Sequence, residues 1–278
     1  MFLNIIKTEW LKLKNYLAFW LLLLATAISY PGINAIVYYG YDESTKPKNQ
    51  SGQLIKMLVG NPFHFPEVYH TTAFLSSFFT FIPAIVVIML ITNEYMFKTH
   101  RQNIIDGWQK KTFVWGKFIS VVLVSLIVTL FYIAVATVLG YIATPDLTKV
   151  DVFAKAKYIP LFFLQIFTQL SFAFLLGLLF RKAFVAYGIF IFYGLIFENV
   201  AVAFLKIKTK QFGGVDYGQF LPLEISDRLV PIPAFIGRFN EADYKIALAN
   251  IDKHIAYSFA FVLLTWVLSF YIFKKRDL

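Results

Sequence analysis

Long apolar runs separated by short polar breaks dominate the chain, and six of them reach the roughly 20 residues needed to cross about 30 Å of hydrocarbon. They run from Leu17 to Tyr38, Thr71 to Thr92, Val114 to Ile142, Tyr158 to Phe180, Phe184 to Leu205 and His254 to Phe273. Ahead of them lies a leader, residues 1–15, in which Leu3, Ile6, Trp10 and Leu13 recur at helical spacing while Lys7 and Lys14 fall elsewhere. That pattern predicts an amphipathic helix lying in the membrane interface and leading into the first span. Ala25-Thr26-Ala27 has the look of a signal-peptide cleavage site, but the apolar run continues past it to Tyr38, so the expectation is an uncleaved leader. Four polar breaks are longer than a turn: residues 39–70, residues 97–112 between the second and third spans, residues 143–157, and residues 206–253 between the fifth and sixth.

Composition moves this pattern from a soluble core to a bilayer. Of 278 residues 59% are hydrophobic and only 15% charged, with a mean hydropathy of +0.65, against about 25% charged residues in soluble domains. The predicted class is an all-α polytopic membrane protein with six transmembrane helices in a single transmembrane domain, residues 1–278. With no cysteine there is no disulfide, no thiolate nucleophile and no sulfur-based zinc cage.

The net charge of +10 raises the question of nucleic acid, and its distribution answers it. With the N-terminus inside, the inner segments hold thirteen basic residues, among them Lys7, Lys12, Lys14, Lys98, Arg101, Lys117, Arg181 and Lys274. Only Glu9, Glu94, Asp106 and Asp277 oppose them. The outer loops hold as many basic residues, but eleven acids nearly cancel them over far more chain. The excess therefore marks a cytoplasmic face and a multi-pass protein of the cytoplasmic membrane with both termini inside, with no nucleic-acid partner expected.

The segment Asn93 to Lys117, NEYMFKTHRQNIIDGWQKKTFVWGK, is a basic, helix-capable connector. Thr99 and Gln102 form a T-x-x-Q capping box that would start a helix at His100, and Gly107 is placed to end it. Ile104, Ile105 and Trp108 then lie on one side, and Arg101, Asn103, Asp106 and Lys110 on the other, so a short helix is expected to lie along the membrane with its polar face toward the cytosol.

Chemistry within the chain is sparse. Gly116-Lys117 is followed by Phe118 and lacks the preceding glycine of a phosphate-binding loop, so any ATP hydrolysis belongs to another polypeptide. His64, Glu67 and His70 are separated by Pro62 and Pro66 from any helix that would align them, and no fourth ligand is evident, so no metal site is expected. Ser, His and Asp are too scattered for a triad, and no catalytic residues are assigned. Polar residues inside spans are more informative because lipid cannot satisfy them. Gln165, Thr168 and Gln169 share one face of the fourth span, and Ser76, Ser77 and Thr80 precede Pro83, which removes a backbone donor. These positions should face a pathway or a neighbouring helix. Glu198, the one acid well inside a predicted span, is a functional candidate by default. Gly213-Gly214, Pro222, Pro231 and Pro233 oppose a continuous helix in the loop that follows, which predicts an irregular outer cap.

The leader's EWLKLKN, the second span ending in Asn93-Glu94-Tyr95, the connector HRQNIIDGWQKKTFVWGK and the terminal FKKRDL together resemble the permease subunit of type-2 ATP-binding-cassette (ABC) exporters. The resemblance implies a coupling helix in the 97–112 region that docks on a nucleotide-binding (ATPase) subunit, with the match falling on Glu94, Arg101, Gln102, Asn103, Asp106, Gly107 and Lys117. It further implies re-entrant helices after the fifth span and a second permease copy or paralogue. ATP and Mg would sit in the partner subunit, no cofactor in this chain, which would itself be no enzyme. The family's pattern has a small and a basic residue near Trp108 to Lys110, and Trp108 departs from it. The function so implied is export of an amphiphilic peptide, lipid or drug; a membrane scaffold or sensor recruiting a soluble partner is the alternative.

Overall fold

The computed structural model describes residues 2–46, 52, 56, 60–99, 102, 105, 109–208 and 214–275. Among them there is no strand, and the chain folds as α1 (Phe2–Lys14), α2 (Leu17–Ser44), α3 (Val68–Ser77), α4 (Phe81–Met96), α5 (Lys110–Ala143), α6 (Tyr158–Phe180) and α7 (Ala183–Lys208), followed by four more helices. Of these, α8 (Glu224–Asp227), α9 (Ala234–Gly237) and α10 (Glu241–Ala249) are short, and α11 (Ile251–Lys275) closes the bundle. Five helices, α2, α5, α6, α7 and α11, are long and apolar enough to cross a membrane, with the bent pair α3 and α4 making a sixth when counted as one span. This is the architecture of a helical polytopic membrane protein.

The bend between α3 and α4 is 54° and lies at Phe78–Thr80, just before Pro83. Proline has no N–H to give the carbonyl four residues back, which here is Phe79. Ile82 N–H takes that carbonyl at 3.1 Å instead, and the helix tightens and turns.

α6 is the core helix, packed against α4, α5, α7 and α11. Its most apolar stretch is 83% buried, whereas that of α7 is 11% buried, so α6 faces protein all round and α7 presents most of its surface outward. Two devices bring helices close to α6. At Gly177 an added Cβ would lie 2.5 Å from Ile91 Cγ2, so the absence of a side chain is what lets α4 approach. On α11 the buried positions His254, Ser258, Val262, Thr265, Ser269 and Phe273 follow a three–four spacing, a narrow seam of mainly small residues of the kind that packs membrane helices. Trp266 beside that seam donates its indole N–H to Ser171 Oγ at 3.0 Å.

The two ends of the bundle differ. At one, α1 packs on α5, Arg181 stacks over the Tyr95 ring, and Lys110 Nζ donates to the Lys274 carbonyl at 3.2 Å. At the other, Phe65 N–H donates to Thr144 Oγ1 at 3.0 Å, Lys155 pairs with Glu67 at 2.6 Å, and the α8 segment folds back onto α6.

Candidate functional site: a buried charge cluster under the connector

α4 ends two residues after Glu94, and Lys98 takes a left-handed backbone conformation, φ 55°, that turns the chain out of the helix line. The turn leaves Glu94 pointing into the base of the bundle, where it is almost completely buried. α5 restarts at Lys110 and carries Lys117 to the same place two turns later, and α1 lays Glu9 across the gap. Lys117 Nζ donates to Glu94 Oε1 at 2.6 Å and to Glu9 Oε2 at 2.7 Å, and all three side chains are shielded from solvent. Lys12, half-buried, closes the ring from above, donating to Glu94 Oε1 at 2.8 Å and to Glu9 Oε1 at 3.3 Å. Ser120 Oγ adds a hydrogen bond to Glu9 Oε2 at 3.1 Å.

Two carboxylates and two ammonium groups cancel, which is the condition for burying four charges at all. Burial by itself would raise the Glu9 carboxyl, but Lys117 first and Lys12 second outweigh it and hold Glu9 below the ordinary carboxylate range. The Lys117 ammonium also lies 5.3 Å from the Phe113 ring, which stacks on Phe273 at 4.6 Å, so the cluster is tied to the end of α11 as well.

The connector begins from this cluster. Thr99 Oγ1 donates to Glu94 Oε2, and Gln102 N–H reaches the Lys98 carbonyl at 3.4 Å. The capping box expected between Thr99 and Gln102 is therefore corrected: the Gln102 N–H goes to the Lys98 carbonyl and not to Thr99 Oγ1, while the Thr99 hydroxyl donates to the Glu94 carboxylate and anchors the connector to α4. Of the coupling positions, Glu94 is in the cluster and Gln102 is exposed on the connector. His100, Arg101, Asn103, Asp106, Gly107 and Trp108 lie outside the described residues.

The polar residues of the fourth and fifth spans go to the other end. Gln165 and Gln169 donate to Asp227 Oδ1 at 3.0 and 2.6 Å, which clamps α8 against α6. Thr168 does not join them, because its hydroxyl donates to the Leu164 carbonyl of its own helix at 2.7 Å. Glu198 follows a π turn at Tyr193–Phe197 and accepts the backbone N–H of Leu223 at 2.9 Å and that of Glu224, so the loop after the span supplies its partners. An added Cβ at Gly194 would lie 2.7 Å from Leu223 Cδ1, so that close approach also relies on a missing side chain. His70 is buried, stacked on Tyr158 at 3.9 Å, with Nε2 2.7 Å from the Pro231 carbonyl. Among the described residues no three His, Asp or Glu side chains are grouped as metal ligands.

Sequence reasoning counted Glu9 and Lys12 as ordinary interfacial charges and missed their convergence with Glu94 and Lys117. One signal was available: Lys117 follows seven residues after the first residue of α5 and lies on the face later buried with Phe113, Val114, Ser120 and Val121. Residues 59–278 match a family model described as a protein of unknown function (DUF2705). That span includes Glu94 and Lys117 and begins after Glu9 and Lys12. No curated protein matches the chain.

Proposed function

We propose that this chain, which belongs to the DUF2705 family, is the membrane-spanning subunit of an ATP-driven exporter of the type-2 ABC kind. It would move an amphiphilic peptide, lipid or drug across the cytoplasmic membrane. The observation that supports this reading most is the buried Glu9–Lys12–Glu94–Lys117 cluster, to which the connector is bonded through Thr99. A push on residues 97–112 would reach Glu94 through Thr99, then α5 through Lys117, then α1 through Glu9 and Lys12. Leader, α4 and α5 would respond as one body, as alternating access by rigid-body tilting demands. The partner is a separate ATPase subunit that holds ATP and Mg, and the working unit pairs this chain with a second copy or a paralogue. The basic excess near the connector and both termini supports a cytoplasmic position for this face.

The experiment is co-purification of the tagged chain from its native membrane, followed by reconstitution with whatever P-loop ATPase accompanies it. Arg101→Ala and Asp106→Ala should weaken ATPase binding. Thr99→Val, which cuts the bond between connector and cluster, should leave ATPase binding intact and lower stimulation of hydrolysis by the chain. Recovery of a soluble partner without a P-loop would favour the scaffold or sensor role and overturn the exporter.

A further inference from the structure

A cavity of about 230 Å³ lies between the α1–α2 elbow and the end of α4. Its walls are apolar, formed by Leu13, Phe19 and Leu22 on one side and Val86, Leu90 and Phe97 on the other. One end is polar, where Lys12, Asn93, Glu94, Thr99 and Lys117 close it. Eight residues separate Val86 from Glu94, so the cavity extends about 12 Å along α4 from the charge cluster toward the middle of the bundle. We propose that it is a lipid site, holding one acyl chain of an anionic phospholipid whose headgroup sits at Lys12.

Size, position and charge each select this occupant. At about 230 Å³ the cavity falls below the roughly 300–1,000 Å³ of a drug-sized ligand, and at about 12 Å along α4 it takes the headgroup-proximal part of one alkyl chain. The elbow carries Trp10 and Trp20, both exposed, with Phe19 packed edge-on between them at 6.5 and 5.3 Å. Exposed tryptophans mark the headgroup level of a bilayer, so the polar end of the cavity lies where a lipid headgroup lies and the apolar end where its chain lies. The Lys12 ammonium has three N–H groups, of which Glu9 and Glu94 engage two, and its side chain is 31% exposed. Lys7 and Lys14 stand exposed on the same leader, so the leader is basic overall despite Glu9. Each such cation is attracted to an anionic surface. Among the described residues no hydrogen bond satisfies the Asn93 side-chain amide, which can serve a phosphate or ester oxygen. Since Glu94 and Lys117 form the closed end, a chain seated in the cavity packs the leader onto α4 and strengthens the charge cluster. The site depends on the membrane assignment and not on transport.

Thermal unfolding of the purified full chain in detergent, with added phospholipid, tests this without any ATPase partner. Phosphatidylglycerol is expected to raise the melting temperature saturably, with an apparent affinity about tenfold tighter than phosphatidylcholine of the same chains. Leu90→Trp and Leu22→Trp, which fill the cavity from opposite walls, are expected to keep a cooperative transition and to lose the phosphatidylglycerol shift. Equal shifts for the two lipids in the native chain would overturn the anionic headgroup, and shifts that survive both tryptophan variants would overturn the cavity. A shift given by oleate but by neither phospholipid would assign the cavity to a free fatty acid and overturn the lipid proposal.

Discussion

Lys117 Nζ lies 2.7 Å from Glu9 Oε2, joining positions 108 residues apart through a contact from which solvent is excluded. Removing one member of a buried ion pair costs about 3–5 kcal/mol, because it strands the remaining charge. Lys117→Met leaves Glu9 and Glu94 to share the half-exposed Lys12, one buried negative charge in excess, and is expected to destabilise the chain by about that much. Lys12→Met removes a half-exposed cation and is expected to cost less. The double variant Glu9→Gln/Lys117→Met should recover part of the loss, since Glu94 and Lys12 then balance each other. A double-mutant cycle on detergent-solubilised protein measures the coupling, and additive effects would show that the two residues do not act as a pair.

Acid should open the same cluster. Glu9 titrates below the ordinary carboxylate value in the folded chain, so its contribution to stability is present above that ordinary value, about pH 4.3, and is lost as pH falls through the lower folded value. Glu9→Gln should flatten this acid limb of the stability–pH profile while lowering stability at neutral pH. Melting temperatures from about pH 3 to 7 for the two chains read the difference, and parallel profiles would rule out Glu9 as the group responsible.

How much of this was legible in the sequence depends on whether a feature is local. The span Tyr158 to Phe180 coincides with α6, because Lys157 and Arg181 flank an apolar run that contains no charge. The other helices outrun their apolar segments, as α2 does through Asp42 and Glu43, since hydropathy reports the depth of the bilayer and not where backbone hydrogen bonding stops. The Gln165–Gln169 pair was visible at i, i+4, but its partner Asp227 comes from a loop 58 residues further on. Thr168 sits on the same stripe and behaves differently, because a threonine hydroxyl can always return to its own helix, a choice that residue spacing does not reveal. The charge cluster was hidden for the same reason as Asp227: three chain segments meet there, and each alone reads as a basic membrane edge.

Gly177 offers a steric test of the core. Gly177→Ala places a methyl group 2.5 Å from Ile91 Cγ2 and 3.4 Å from the Ile88 backbone, so either α4 moves or the isoleucine does. Overpacking of this kind costs about 1–3 kcal/mol. Adding Ile91→Ala should relieve the clash and return most of the loss, because it removes the atom in closest contact. Thermal unfolding of the single and double variants checks it, and a Gly177→Ala chain as stable as the native one would show that α4 and α6 are not held at this separation.

The segment after α8 is tied to the start of α3 by one imidazole. His70 is wholly buried, stacks on Tyr158, and bonds the Pro231 carbonyl through Nε2. His70→Phe preserves the ring stack and removes the hydrogen bond, leaving the Pro231 carbonyl without its donor, a loss of about 1–3 kcal/mol for a buried group. The cost should be local, because Gln165 and Gln169 still hold Asp227 and Glu198 still holds the Leu223 and Glu224 amides. Hydrogen exchange is therefore expected to quicken over residues 228–237 and to stay unchanged over 223–227. Faster exchange across both stretches would mean that the cap opens as one unit and that the histidine, not the glutamine clamp, governs it.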